Sequence, residues 1–193
     1  MDSTERFATS LKAVADIPDP QIAAVLAMAA PQRYEKGDAF VRAGDTPTRF
    51  AVVLEGLFRY YYLTDSGKEF TKGFFPEGAV LSSYSAMIQG RESYFTIEAL
   101  EPSWVMAVPY APWRERTRDE PSWQRFLIAL LEKGYCVKEA REREFLLFDA
   151  EQRYRSFLET HPGLEGRLKQ HHIAAYLGIS PVTLSRIRKK RRP

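Results

Sequence analysis

The pattern of hydrophobic and polar positions changes several times along the chain. From about residue 3 to 30, apolar residues recur at helical spacing in two groups, which Pro18 and Pro20 separate. The first group consists of Phe7, Leu11 and Val14, and the second of Ile22, Val25, Leu26 and Met28. This stretch predicts helices at the N-terminus.

From Tyr34 to about Val108, glycines punctuate short runs that are rich in β-branched and aromatic residues. The runs are FAVVLEG, LFRYYYL, EFTKGFF, SYFTIEAL and SWVMAVP. Asp65-Ser66-Gly67, between the second and the third run, predicts a hairpin turn. Short strands with regular turns are typical of an antiparallel barrel or roll. No run alternates with a long helix, which disfavours a parallel sheet.

The helical period returns from about Pro121 to Leu147, enough for a helix of roughly 40 Å. Its apolar stripe could pack on the roll of its own chain, or pair with the same helix of a second subunit. The roll is too small to cover both ends of such a helix, which favours pairing. The predicted dimer interface comprises Phe126, Leu127, Leu130, Leu131, Gly134 and Val137.

Two further helical signals follow. Asp149 and Gln152 have the spacing of a capping box, which predicts a short helix that Pro162-Gly163 ends. The stretch QHHIAAYLGISPVTLSRI, from Gln170 to Ile187, has the pattern of a helix-turn-helix. Its apolar positions are Ile173, Leu177, Ile179, Leu184 and Ile187, and Ala174 supplies the small residue where the two helices approach. Gly178 suits the turn, Ser180 the cap and Pro181 the first position of the second helix.

Charge is distributed unevenly between the two ends of the chain. From His161 onwards there are eight Lys and Arg and one acid, a net charge of +7, whereas the first 160 residues carry 20 basic and 24 acidic side chains. A basic unit on an acidic body indicates a polyanionic partner, although a solvated basic tail has the same composition. The predicted DNA-binding residues are Ser180, Val182, Thr183, Ser185, Arg186, Arg188, Lys189 and Lys190.

The second helix of the helix-turn-helix motif, the recognition helix, would enter the major groove of DNA. Different side chains of this helix would then contact bases and phosphates. Arg186 is the expected base reader, because a guanidinium can bond both O6 and N7 of guanine. Phosphate contacts are expected from Arg188, Lys190, Arg191 and Arg192, the last two being alternatively a frayed tail. His171 and His172 are adjacent, so they predict surface or phosphate-contacting side chains and no metal pair.

Composition excludes several kinds of chemistry. The single cysteine, Cys136, cannot form an internal disulfide or hold an iron–sulfur cluster, and its place in the apolar stripe predicts an inert core thiol. The three histidines lie outside the roll, so neither a haem site nor a cupin metal site is expected there, and we expect no metal, no cofactor and no enzyme activity. The opening MDSTERFATS is unlike a signal peptide, and no stretch of 18 apolar residues exists, so a cytoplasmic protein without a membrane partner is expected.

The order of these parts resembles the Crp/Fnr family of bacterial transcription regulators. YEKGDAFVRAGDTPTRFAVVLEGLFRYYYLTDSGKE resembles the family's roll, and AAYLGISPVTLSRIRKK resembles its DNA reader. The resemblance implies an α+β fold with a cyclic-nucleotide-binding-like antiparallel β-roll (a double-stranded β-helix), a long dimerisation helix and a C-terminal helix-turn-helix. The expected domains are residues 1–110, 111–147 and 148–193. It also implies a homodimer, a palindromic double-stranded DNA operator and RNA polymerase as a partner.

In this family a loop of the roll supplies a Glu and an Arg to a cyclic nucleotide. Ser83 falls at the place of that Glu and Ser93 at the place of that Arg, while Arg91 is out of register. Burying a cyclic phosphate without a charged partner is costly, so cyclic nucleotide binding is not expected. The candidate pocket for another small effector comprises Ser82, Ser83, Tyr84, Ser85, Arg91 and Ser93, which are alternatively polar loop residues without a ligand.

A sequence-specific regulator is the function that these features favour. The alternative is a small-ligand-binding module whose helix-turn-helix serves protein contacts. The basic run from Arg186 favours DNA, because protein interfaces are depleted in lysine.

Overall fold

The computed structural model describes residues 2–191, and of residue 191 only the backbone. The chain forms two compact units, residues 2–60 with 74–133, and residues 61–73 with 134–191. In chain order the elements are α1 (Ser3–Lys12), α2 (Asp19–Leu26), β1 (Ala30–Tyr34), β2 (Ala39–Val41), β3 (Arg49–Glu55), β4 (Phe58–Leu63), β5 (Glu69–Phe75), β6 (Val80–Leu81), α3 (Tyr84–Gln89), β7 (Thr96–Ala99), β8 (Ser103–Pro109), α4 (Tyr110–Thr117), α5 (Pro121–Leu147), α6 (Ala150–Thr160), a 3₁₀ helix (Leu164–Gly166), α7 (Gln170–Leu177) and α8 (Pro181–Arg191).

The strands form two four-stranded sheets, in the orders β1-β8-β3-β6 and β2-β7-β4-β5. Antiparallel pairing joins β3 to β8, with Phe50 opposite Val108 and Val52 opposite Met106. β4 and β5 are neighbours joined through Asp65-Ser66-Gly67, which confirms the predicted hairpin. The predicted mixture of an antiparallel roll with a helical C-terminal region is confirmed.

β3 is buried on both faces, which explains its unbroken apolar run. Ala51 and Val53 point into the cluster between the two sheets, together with side chains of β4, β7 and β8. Phe50, Val52 and Leu54 alternate to the opposite face and join a second cluster with side chains of α1, α2, α4 and α5. Side chains alternate along a strand, so burial on both sides requires apolar residues at every position.

Gly56 permits the tight turn between β3 and β4. Its φ of +101° lies in the region that favours glycine, and a Cβ there would lie 2.1 Å from the Ser103 Oγ. Both the backbone and the close approach of β8 therefore require this glycine.

The N-terminal helical stretch ends earlier than its pattern predicts. Phe7, Leu11, Ile22 and Val25 are buried on α1 and α2 as expected. Residues from Ala30 onwards form β1, which pairs with β8 and is polar and largely exposed, so hydrophobic periodicity gives it no strand signal.

The long helix α5 spans the predicted residues, and its first turns complete the core of the roll. Trp123 and Phe126 are each 2% exposed in the cluster shared with α1, α2 and α4. Packing on its own roll therefore accounts for one end of the apolar stripe. Among residues 2–191, none of the helices combines the length and the apolar character that a membrane crossing requires.

In the second unit, α6 begins with the predicted capping box. The Asp149 carboxylate accepts a hydrogen bond from the Gln152 backbone N–H at 2.8 Å, and the Gln152 side chain accepts one from the Asp149 N–H at 2.9 Å. Tyr154 and Phe157 are buried on its inner face.

Candidate nucleic-acid interface and effector site

The turn between α7 and α8 has the predicted geometry. Gly178 caps α7 with a φ of +68°, and its N–H donates to the Ala174 carbonyl. The positive φ favours glycine here, and a Cβ at Gly178 would lie 2.8 Å from the Phe145 Cε1, so a larger residue would also displace that ring.

α8 begins as the sequence predicts. The Ser180 hydroxyl accepts a hydrogen bond from the Thr183 backbone N–H at 3.1 Å, and Pro181 is the first helical residue. The Gln170 amide of α7 donates to the Pro181 carbonyl at 2.7 Å, which ties the start of one helix to the start of the other. These contacts fix the direction in which α8 leaves the turn.

One face of α8 packs on its own unit and the opposite face is exposed. Leu184 and Ile187 are buried, as are Ile173 and Ala174 of α7, which confirms the predicted internal positions. The exposed face carries residues spaced one, three and four apart, at helical spacing. They are Val182, Thr183, Arg186, Lys189 and Lys190, of which Thr183 is half-buried.

This face is positively charged. It presents Arg186, Lys189 and Lys190, and α8 contains no acidic residue. Ser185 lies half-buried beside it. An exposed helix with several cations and no anion is suited to a phosphate backbone and to the acceptor edges of bases.

Arg188 has a different environment from its neighbours. Its Nη2 lies 2.7 Å from the Glu165 carboxylate, and its Nε donates to the Tyr154 hydroxyl at 3.2 Å. The Tyr154 hydroxyl in turn donates to Glu165. Arg188 thus anchors α8 to α6 and to the 3₁₀ helix, and a phosphate contact would have to compete with this ion pair. The side chain of Arg191 and all of Arg192 lie outside the described residues.

The two histidines of α7 lie on different sides of their helix. His171 is exposed, whereas His172 is 7% exposed, and the two rings meet edge to face at 4.1 Å. The expectation that both are surface residues is therefore wrong for His172. Its burial follows from its position beside Ile173 and Ala174 on the packed face of the helix.

The predicted effector residues do not gather in one pocket. Ser83 and Ser93 are buried and their hydroxyls lie 2.8 Å apart, while the Ser93 hydroxyl also donates to the Phe95 carbonyl at 2.7 Å. Tyr84 packs instead against the cluster around the helices of the roll. The remaining members differ in exposure, with Ser82 half-buried and Ser85 and Arg91 exposed.

A stack of aromatic rings lies beside these serines, and sequence reasoning missed it. Tyr60 stacks on Phe75 at 3.9 Å and on Phe95 at 5.1 Å between ring centroids. The Tyr60 hydroxyl accepts a hydrogen bond from the Ser82 backbone N–H at 2.7 Å, and burial raises the pKa of Tyr60. The signal was present as alternation in LFRYYYL, which sends Phe58 and Tyr60 to the same face of β4.

The residues predicted for the dimer interface divide between two environments. Phe126 belongs to the buried core and Leu130 packs against it, so both side chains are engaged within the chain. Leu131, Gly134 and Val137 are exposed, and Leu127 is half-buried. Two large apolar residues outside the predicted set, Ile128 and Tyr135, are 55% and 68% exposed on the same helix.

Cys136 is exposed, so the prediction of a core thiol is wrong. The apolar stripe of α5 continues beyond the part of the helix that the roll covers, and Tyr135 and Val137 beside the cysteine are exposed too. Helical periodicity identifies a stripe but not how far along the helix that stripe is buried.

Comparison with known proteins agrees with this geometry. Residues 31–120 match the family model of the cyclic nucleotide-binding domain. No curated protein sequence is significantly similar to the chain.

Solved structures share the fold at low sequence identity. The c-di-GMP-responsive global regulator CLP of Xanthomonas campestris has a TM-score of 0.74 and 18% identity, over 90% of this chain and 91% of that one. FixK2 from Bradyrhizobium japonicum has a TM-score of 0.74 and 19% identity, over 84% and 83%. A protein from Eubacterium rectale described as a transcriptional regulator of the Crp/Fnr family has a TM-score of 0.71 and 18% identity, over 91% and 83%. Residues 31–120 are thus similar to the cyclic nucleotide-binding domain, and the fold of the chain is Crp/Fnr-like.

Proposed function

We propose that the chain is a homodimeric, sequence-specific DNA-binding transcription regulator of Crp/Fnr type. The observation that carries the proposal is the exposed face of α8, with Arg186, Lys189 and Lys190 and no acid. The capped start, the glycine turn and the buried contacts with α7 hold this helix as the second helix of a helix-turn-helix. In that motif the second helix enters the major groove.

Two side chains of α8 are assigned different tasks. Arg186 lies on the exposed face one position before the buried Ile187, where a guanidinium can reach base edges. Lys190 lies one turn further along the same face and is suited to a phosphate. Arg188 is assigned to holding the helix in place through Glu165.

The same face argues against a module that only contacts proteins. Two of its three cations are lysines, and lysine is depleted at protein interfaces. DNA in the cytoplasm, and RNA polymerase at the promoter, are the partners we expect.

Dimerisation rests on the outer face of α5. Ile128, Leu131 and Tyr135 are spaced three and four residues apart, and each is at least 44% exposed. Apolar residues at this spacing form the seam of paired helices. A second copy of the chain would bury them, and it would supply the second recognition helix that a palindromic site requires.

We also propose that the roll binds no cyclic nucleotide. The two serines at the charged positions of the family bond to each other, and Tyr60 is buried between Phe75 and Phe95 beside them. An entering cyclic phosphate would have to break these contacts, and Ser83 and Ser93 offer it hydroxyl groups without charge. Regulation by another effector would need a site other than the predicted one, because its six residues do not converge.

Two variants that each remove one positive charge from α8 test the DNA proposal. Arg186→Ala should cost about 1–3 kcal/mol on a selected operator and relax the preference at one base pair per half-site. Lys190→Ala should weaken binding to operator and scrambled DNA alike, and lower the slope of log K against log salt by about one per subunit. Titrations of both duplexes at two salt concentrations distinguish the two roles.

Each variant is the control for the other, because the change in charge is the same. If Arg186→Ala loses the same affinity on both duplexes, Arg186 holds a phosphate and the assignment of the base reader is wrong.

A further inference from the structure

A half-buried arginine of α5, Arg141, joins three segments of the second unit. The Arg141 guanidinium lies 3.5 Å from the centroid of the Tyr176 ring and 4.8 Å from that of the Phe145 ring. Its Nη2 donates one hydrogen bond to the Tyr176 carbonyl and another, of 3.3 Å, to the Thr71 carbonyl. We call Thr71, Arg141, Phe145, Arg153 and Tyr176 the Arg141 cluster.

Two members of the cluster bind the last carbonyls of α7. Arg141 donates to the Tyr176 carbonyl, and Arg153 donates to the Leu177 carbonyl at 3.1 Å. Carbonyls in the last turn of a helix have no partner within the helix, and cations are favourable there. The two arginines therefore position the end of α7 immediately before the turn that leads into α8.

The Phe145 ring completes this attachment. It lies under both guanidinium groups, 4.8 Å from that of Arg141 and 5.2 Å from that of Arg153. It also lies close to Gly178, where an added Cβ would come within 2.8 Å of the Phe145 Cε1. The end of α5 thus touches the turn of the helix-turn-helix itself.

The other end of the cluster is strand β5 of the β4–β5 hairpin. Thr71 belongs to β5, and residues 61–73 of the β4–β5 hairpin fall in the same compact unit as α7 and α8. Both strands of the hairpin, β4 and β5, belong to the sheet β2-β7-β4-β5. A single nitrogen of Arg141 is therefore hydrogen-bonded both to strand β5 of the hairpin and to α7, the first helix of the helix-turn-helix.

We propose that Arg141 is a positioning residue that couples the β4–β5 hairpin to the DNA-reading helix. The proposal rests on the proposed function, in which α8 binds DNA. Coupling between two sites is reciprocal, so DNA bound at α8 stabilises the hairpin, and a change in the hairpin alters the affinity for DNA.

The variant Arg141→Lys distinguishes coupling between the hairpin and the helix-turn-helix from a general stabilisation of the fold. Arg141→Lys keeps the charge and one donor nitrogen, but it loses the planar fork and the flat face that lies on Tyr176. Arg143→Lys is the matched control, because Arg143 is exposed two residues further along the same helix. Hydrogen exchange followed by mass spectrometry on the full chain reads each segment separately.

In the absence of DNA, Arg141→Lys should accelerate exchange about fivefold in the hairpin and at the end of α7 together, as expected for losing one hydrogen bond. Peptides of β3 and β8 should exchange as in the unmodified protein, and Arg143→Lys should change none of these segments. Acceleration in only one of the two segments, or in all peptides equally, overturns the proposal.

In the second part of the experiment, hydrogen exchange is measured with a selected operator duplex bound to the protein. In the unmodified protein and in Arg143→Lys, operator binding should slow exchange in residues 61–73 as well as in α8. In Arg141→Lys, the protection of α8 should remain while that of the hairpin is lost. Hairpin protection that persists in Arg141→Lys contradicts the coupling and leaves DNA binding intact. An unmodified protein that binds no duplex contradicts the proposed function. In that case, the exchange measured without DNA still tests whether Arg141 couples the hairpin to the end of α7.

Discussion

At the scale of single residues, Ser83 and Ser93 form a buried, uncharged hydrogen-bonded pair in the roll. Both hydroxyls are buried and each has a hydrogen-bond partner within the protein. The loop that carries them is closed by hydrogen bonds within the protein, and the neighbouring Tyr60 is stacked between two other rings.

Calorimetric titration with cyclic AMP and cyclic GMP should therefore show no binding at micromolar concentrations. The physical reason is that a buried phosphate would gain hydroxyl partners only, which do not offset the cost of desolvating an anion. The exposed Arg91 is the remaining cation of the loop, so Arg91→Ala is titrated in parallel. Micromolar binding that disappears in Arg91→Ala would contradict the account and place the phosphate at that loop.

At the scale of elements, the sequence predicted those that carry their own local signal. The β4–β5 hairpin, the Asp149 capping box and the Ser180 cap were all predicted, because turn and cap chemistry depends on a few neighbouring residues. The polar strand β1 and the six-residue helix α3 were missed. Their formation depends on partners distant in sequence, and short or polar segments have no clear period.

α5 illustrates the same limit within a single element. Its span was predicted, but its apolar residues divide into a buried set around Phe126 and an exposed set around Leu131. Which residues meet the roll depends on how the helix docks, and the sequence of the helix does not contain that information.

Leu131→Asp should convert a dimer into a monomer at micromolar concentration, because it places a charge in the centre of the exposed apolar stripe of α5. Light scattering combined with size-exclusion chromatography measures the mass. Leu131 is preferred to Leu130, which packs against the core of the roll and whose substitution would also destabilise the fold.

Lys133→Asp provides the control, since this exposed residue lies on the same helix but away from the stripe. It should leave the dimer intact. A monomeric unmodified protein at micromolar concentration would contradict the proposed pairing.

At the scale of the whole molecule, the distribution of charge and the fold both support the proposed function. The basic residues of the C-terminal part are concentrated on α8, while the remainder of the chain is slightly acidic. The proposed function could therefore be inferred from the sequence, by combining the helix-turn-helix pattern with the charge. The Arg141 cluster could not, because Thr71, Arg141 and Tyr176 are brought together only by the fold.

Selection from a random pool of DNA duplexes tests the central claim most directly. Two α8 helices of a dimer should read an inverted repeat whose half-sites are centred about 10–10.5 base pairs apart, one turn of B-DNA. The account predicts that repeated rounds with the unmodified protein enrich such a repeat, bound more tightly than the starting pool at the same salt concentration. A final pool that shares no sequence, and that binds no more tightly than the starting pool, would contradict the claim that this chain is a sequence-specific regulator.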